Sequence, residues 1–356
     1  MTIITRILLG MRSLLVLAGL SASLCSHAAF ATGNEGVTPD AEARAQQEIA
    51  QETSRYVLAG DFERLEALHI RLNRPGERTP SGIWKLAIYY NQLRSFRTQV
   101  PDMNDWLEMQ GQANQWQARY PDSVPARLLD VYVKLELLEI TRAGRPLGKL
   151  KVVERRILDA YAIKAMQMLE DTRRLAVQAN DPEWHRAMLN VAPYMRNMSA
   201  NGYRAKVREA LARHPDYHEA YFTAALYSQP RWGGTRDGVA RLALDASHAG
   251  SKESPSMYAR IFWAMDQRAY QGRLFDAGGA DWPSMRASFE HMVAQYPVAW
   301  NLNGFAYFAC MAKDYKTMDA IVERIGPGLV PALWGAGGQA THARCLAHQA
   351  PAAARP

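Results

Sequence analysis

The stretch Asp105-Trp106-Leu107-Glu108-Met109-Gln110-Gly111-Gln112-Ala113-Asn114-Gln115-Trp116-Gln117-Ala118-Arg119-Tyr120-Pro121-Asp122-Ser123 decides the fold. Trp106, Met109, Ala113, Trp116 and Tyr120 recur at the spacing that lines up one apolar face of an α-helix. Pro121 then ends the helix, because it has no N–H and drives the residue before it out of the helical region. A new helix is expected within three residues. The same junction recurs at Ala212-Arg213-His214-Pro215-Asp216-Tyr217 and at Ala294-Gln295-Tyr296-Pro297-Val298. Each carries an aromatic ring before the Pro that can cover the turn.

Working outward, Phe62, Leu65, Leu68 and Leu72 form a second helical stripe. Asp181-Pro182-Glu183 reads as a helix start, with an N-cap Asp, Pro at the first helical position and an acid in the first turn. Ser254-Pro255 and Thr38-Pro39-Asp40 repeat that grammar. Val131 to Ile140 is the best strand candidate, yet Leu128, Leu129, Tyr132, Leu135 and Glu136 fit a helical face better. The expectation is an all-α chain of short helices joined by short turns, packed as antiparallel pairs.

Tyr296-Pro297, then Ala299-Trp300-Asn301-Leu302-Asn303-Gly304-Phe305-Ala306-Tyr307, then Asp314-Tyr315, resembles the first helix and turn of a tetratricopeptide repeat, with about two extra residues before Asp314. Gly60-Asp61-Phe62 and the stripe to Leu72 resemble that repeat's turn and second helix. The resemblance implies a small residue where helices cross closely and an aromatic where the next pair stacks. Clean 34-residue periodicity is absent, so an irregular tetratricopeptide-like array of antiparallel helical hairpins, an α-solenoid, is expected over residues 38–335. A broader set of elements is similar to an uncharacterised bacterial family of tetratricopeptide-like proteins with a domain of unknown function. They are Asp61-Phe62-Glu63-Arg64-Leu65-Glu66, Gly82-Ile83-Trp84-Lys85-Leu86, Asp181-Pro182-Glu183-Trp184, His214-Pro215-Asp216-Tyr217 and Gln229-Pro230-Arg231-Trp232-Gly233-Gly234, of which Pro-Arg-Trp-Gly-Gly is the most specific. That family implies the fold and brings no catalytic residue.

Arg6 and Arg12 precede the apolar run Leu14 to Leu20, and small residues lead to Ala29-Phe30-Ala31. These are the parts of a signal peptide cleaved after residue 31. The apolar run is too short for a bilayer span and is broken by Ser21, Ser23, Ser26 and His27. Leu24 is too bulky to precede Cys25 as a lipidation site. The chain is therefore expected in the periplasm or secreted, without stable membrane insertion after cleavage, with a linker at 32–37 and a flexible tail at 336–356. Cys310 and Cys345 remain, as either a disulfide or two separate thiols.

The chain has 356 residues and a net charge of +7. Its 48% hydrophobic and 22% charged residues exclude disordered, collagen-like and disulfide-scaffold classes. Export makes nucleic acid an unsuitable partner for the basic excess. His218-Glu219-Ala220-Tyr221-Phe222 begins like a zinc helix, but Phe222 stands where the second ligand belongs, and Pro215 separates His214 from His218. His342, Cys345 and His348 are poorly spaced for one ion and have no evident fourth ligand. Gly335-Ala336-Gly337-Gly338-Gln339-Ala340 matches a loose dinucleotide fingerprint with no room after it for the βαβ unit that motif serves. No catalytic residue, metal ligand or cofactor is assigned.

Arg231 and Trp232, in the shaped turn Pro230 to Gly234, are the partner-binding candidates, since Arg and Trp are enriched in binding hot spots. The alternative has Trp232 plugging a gap between helical pairs. The expected function is an exported, non-enzymatic helical-repeat protein that holds a protein or peptide in its groove. Its rival is a cell-envelope enzyme acting on a polymer such as peptidoglycan through a groove carboxylate.

Overall fold

The computed structural model describes residues 41–95 and 103–349. The expected leader at 1–31, the expected linker at 32–37 and Thr38-Pro39-Asp40 lie outside the described residues. Among the described residues the fold is all-helical, without a strand; one isolated antiparallel bridge joins Arg78 and Trp84. The helices are α1 (Ala41–Ala59), α2 (Phe62–Leu72), α3 (Lys85–Ser95), α4 (Met103–Arg119), α5 (Val124–Arg142), α6 (Val152–Ala179), α7 (Glu183–Val191) and α8 (Ala200–Arg213). They continue with α9 (His218–Tyr227), α10 (Gly238–Ser247), α11 (Met257–Met265), α12 (Leu274–Ala277), α13 (Trp282–Gln295), α14 (Ala299–Met311), α15 (Tyr315–Ile325) and α16 (Gln339–Leu346). The strand candidate Val131 to Ile140 lies inside α5, with Leu128, Leu129, Tyr132, Leu135 and Leu138 buried.

Three turns share one construction. Gly60, Asn180 and Lys313 adopt positive φ of 64°, 50° and 61°, and an Asp follows each. The N–H of each positive-φ residue bonds the carbonyl three back, and the N–H of Asp61, Asp181 and Asp314 bonds the carbonyl five back, onto Tyr56, Ala176 and Ala309. That is the Schellman ending, which satisfies the last carbonyls of the outgoing helix. The same Asp then starts the next helix: Asp61 accepts from Arg64 N, Asp314 from Thr317 N and Asp181 from Glu183 N. One dipeptide thus closes a helix and opens its antiparallel neighbour.

The three Pro junctions separate α4 from α5, α8 from α9 and α13 from α14. Ser123 Oγ accepts from Ala126 N to cap α5. The rings before Pro215 and Pro297 do not simply cover their turns. His214 packs edgewise on His185, centroids 5.3 Å apart, and Tyr296 donates its hydroxyl to Glu253 at 2.6 Å.

Packing follows the stripes. Phe62, Leu65, Leu68, Leu72, Trp106, Met109, Ala113 and Trp116 are all buried in one core, where the rings of Phe62 and Trp116 stack 5.5 Å apart. Helices α1, α3, α5, α7, α9 and α11 touch in series, and α13 continues the row after α11. Helices α2, α4, α6, α8 and α10 each pack against one or both of their chain neighbours. Gly304 leaves room for a ring: a Cβ there would lie 2.3 Å from Trp263 Cη2.

The segment between α2 and α3 ties distant parts together. The Ser81 carbonyl accepts from Arg260 Nη2 at 3.0 Å and from Asn301 Nδ2 at 3.2 Å, while Ser81 N donates to Glu42 Oε2 at 2.7 Å. Helices α1, α11 and α14 therefore meet on one residue.

The expected flexible tail is corrected over its described part. Residues 339–346 form α16, with Thr341 and Cys345 buried, and Trp334 packs edgewise on His342 at 4.5 Å. Cys345 is disulfide-bonded to Cys310 on α14, Cα atoms 5.9 Å apart. Gly335 and Gly338 supply the positive-φ turns that lead into α16.

Candidate functional site

The helices touching in series carry a row of charged and aromatic side chains along one wall. Its deepest member is Glu183, at the start of α7 and fully buried. Tyr132 from α5 and Tyr217 before α9 each donate a hydroxyl to one of its oxygens, and Arg186 Nη1 lies 3.1 Å away. Arg186 also donates to Asn91 Oδ1 on α3 at 2.9 Å and pairs with Glu219 on α9 at 3.2 Å. One buried guanidinium therefore joins α3, α7 and α9. Burial raises the Glu183 carboxyl above its ordinary value despite Arg186 and the two tyrosines. Burial pushes Glu219 up as well, but Arg186 and then Arg268 pull it below its ordinary value.

Asp181, just before, divides its carboxylate. Oδ1 caps α7, while Oδ2 accepts from Tyr90 and lies 2.8 Å from His69 Nε2. It fastens α2 and α3 to the start of α7.

Further along the wall the side chains reach solvent. Arg94 lies 3.9 Å from Glu136 with its guanidinium over the Tyr132 ring, and is 15% exposed. Arg268 is 25% exposed, 3.6 Å from Glu219 and over the Phe222 ring. Arg142 pairs with Glu139 at 2.8 Å and covers the Trp232 ring at 4.3 Å. Arg268 and Tyr270 sit on a π-helical turn, Asp266–Tyr270, that extends α11 and ends in Gln271 at φ 49°. π-turns are rare and concentrate at functional positions.

A second buried polar group lies where the 78–84 segment meets α9 and α11. His218 faces Glu253 at 3.8 Å, and both ring nitrogens of His218 and Oε2 of Glu253 make no hydrogen bond among the described residues. Burial, then Arg260 and Arg78, holds His218 neutral. Burial also lowers Arg260 to about 10, with Glu253 opposing.

Of the residues singled out by sequence, Trp232 is half-buried and wedged edgewise against Tyr194 and Tyr227, at 5.4 and 4.6 Å. Arg231 beside it is exposed, on the 3₁₀ turn Pro230–Trp232. The two are thus divided: Trp232 fills the gap and Arg231 faces out. Cys310 and Cys345 lie away from the wall, in the C-terminal hairpin. His214 closes α8 and His218 opens α9. His342 meets Trp334, whereas His348 stacks on Tyr315 and reaches Asp319. Among the described residues no group of three or more His, Cys, Asp or Glu side chains is arranged to hold a metal ion.

No family model, no curated protein and no solved structure matches this chain.

Sequence reasoning missed the Arg94, Arg186, Glu219 and Arg268 wall. Arg186 does fall one helical turn after Glu183, an ion-pair spacing. Nothing in the linear order, however, places Arg94 or Arg268 beside Glu219.

Proposed function

We propose that this chain is an exported, irregular tetratricopeptide-like array of helical hairpins that holds a protein or peptide partner along the wall of α3, α5, α7, α9 and the π-turn after α11. The observation that carries this reading is the serial contact of α1, α3, α5, α7, α9 and α11, with intervening helices stacked beside them. That is how a repeat array distributes its contacts, each unit resting on its neighbours and building an extended receptor surface. The three Schellman turns at Asp61, Asp181 and Asp314 support the same reading, because they repeat one helix-reversing device along the chain.

The enzymatic alternative needs an acid poised at the floor of a pocket. Glu183 is sealed, with both oxygens engaged by Tyr132, Tyr217 and Arg186. The shallow surface hollow at Trp282, Arg286, Glu290 and Asp314 has both carboxylates committed: Asp314 caps α15 and accepts from Trp282 Nε1, and Glu290 pairs with Arg286 at 2.9 Å. These carboxylates serve architecture, which favours the binding reading.

The test places a photo-crosslinking residue at Tyr270, on the wall, or at Gln178, exposed on α6, in cells making the full chain. Discrete adducts from position 270 alone support the reading. Equal adducts from both positions, or none from 270, overturn it.

A further inference from the structure

We infer that the wall is a receptor for carboxylates, and that its ligand is an acidic, extended peptide segment of the partner. The inference rests on the binding reading above and names the chemistry of what is bound.

Three of the wall's acids are already engaged internally. Glu139 answers Arg142 and accepts from Tyr194, and Glu183 is enclosed by Tyr132, Tyr217 and Arg186. Glu219 is shared between Arg186 at 3.2 Å and Arg268 at 3.6 Å. The cations are less fully answered. Among the described residues the one ion pair of Arg94 is a long contact, 3.9 Å, to Glu136. Arg268 holds an acid that Arg186 holds more closely. Arg231 is exposed and makes no ion pair among the described residues. A carboxylate brought to such a guanidinium takes charge-assisted hydrogen bonds from its forked donors.

Aromatic faces alternate with these cations. Tyr132 lies under Arg94, Phe222 under Arg268 and Trp232 under Arg142, while Tyr270 on the π-turn is half-buried. Phe222 and Trp232 are half-buried and leave part of each ring open beside the charge it carries. An extended peptide with both acidic and apolar side chains offers partners to the guanidiniums and to these rings. The recess selects against a bilayer: Arg94 and Arg268 are only 15% and 25% exposed, so a flat headgroup layer does not reach them and a single chain does.

The experiment is fluorescence anisotropy on the purified full chain. The probes are three labelled twelve-residue peptides (~12, a length chosen to span several helices) alternating Glu and Leu, Gln and Leu, or Lys and Leu, together with labelled inorganic polyphosphate. The expected result is binding of the Glu peptide, weakened about tenfold by Arg94→Gln or Arg268→Gln, the loss of one charge-assisted hydrogen bond. Arg208→Gln, an exposed arginine on α8, removes the same charge and leaves binding unchanged. Arg231→Gln is exposed and unpaired, so it weakens binding even if the other two variants fail to fold. Equal weakening by Arg208→Gln overturns the site, because bulk charge then explains the binding. Binding of the Gln peptide but not the Glu peptide overturns the carboxylate chemistry and leaves the binding reading standing. Polyphosphate binding that depends on Arg94 and Arg268, without peptide binding, overturns the peptide class. Silence from all probes, with position-270 adducts still forming in cells, counts against this inference alone; loss of both counts against the reading beneath it.

Discussion

A Cβ added to Gly82 would lie 2.6 Å from Tyr296 Cε2 and 2.8 Å from Arg260 Nη2. Gly82 also holds φ at +91°, a region that side-chain-bearing residues rarely enter. Gly82→Ala is therefore expected to cost about 2–3 kcal/mol, steric overlap adding to backbone strain. Urea denaturation measures it. A midpoint within error of the parent's would show that the 78–84 segment does not rest on α11 and on Tyr296 as described.

Glu183→Gln keeps the shape of the side chain and removes the charge that answers Arg186. Breaking one side of a buried ion pair costs about 3–5 kcal/mol, because the other charge stays desolvated. Glu219 remains as a second partner, so the lower end is expected. Equilibrium unfolding at neutral pH reads the difference, and a loss under about 1 kcal/mol would mean that solvent reaches Arg186.

Trp232→Ala is expected to cost about 2 kcal/mol, since the ring is half-buried against Tyr194, Tyr227 and Arg142. Arg231→Ala, one residue earlier, should change stability by less than about 0.5 kcal/mol. Differential scanning calorimetry on the pair separates plug from surface. Comparable losses in both would show that the turn acts as a unit.

His185 and His214 are held neutral in the fold, each lowered to about 4. Burial is the main cause, followed by Arg213 and Arg173 for His185 and by His185 and Arg213 for His214. In the unfolded chain both titrate near the ordinary value, about 6.5. The unfolded state therefore binds more protons between about pH 6.5 and 4, and stability falls as pH drops through that window. Partial solvent screening holds the loss to the order of 2 kcal/mol for the pair. Urea midpoints across the window should slope less in a His185→Gln, His214→Gln double variant. An unchanged slope would assign the effect to carboxylates instead.

Reducing the Cys310–Cys345 bond removes a constraint on a 35-residue separation. About 3–4 kcal/mol of stability follows from restricting the unfolded chain. A lower melting temperature in reductant, matched by Cys345→Ser without reductant, is the expected pair of results. Hydrogen exchange should localise the loosening to α16, and uniform loosening across the chain would contradict its terminal position.

The helical character was legible because it is local. The stripe from Trp106 to Tyr120 and the stops at Pro121, Pro215 and Pro297 depend on residues within a turn or two of one another. The wall was not, because Arg94, Glu219 and Arg268 are brought together only by serial stacking. For Trp232 the sequence offers both a hot-spot role and a plug between helical pairs, and its ring contacts with Tyr194 and Tyr227, which the linear order does not reveal, are those of a wedge. The tail misled for a related reason. Gly335 to Gly338 read as an exit, whereas two of those glycines supply the bends that return the chain to Trp334 and Cys310.

The triple anchorage of Ser81 has a consequence for biogenesis. Its partners Arg260 and Asn301 emerge from the ribosome long after it does, so the turn around Gly82 waits unanchored through most of synthesis. Repeat proteins ordinarily mature from the first unit onward, with little penalty for losing the last. This chain instead makes its opening hairpin depend on its closing ones, and C-terminal truncation before residue 301 should leave the early helices open to proteolysis.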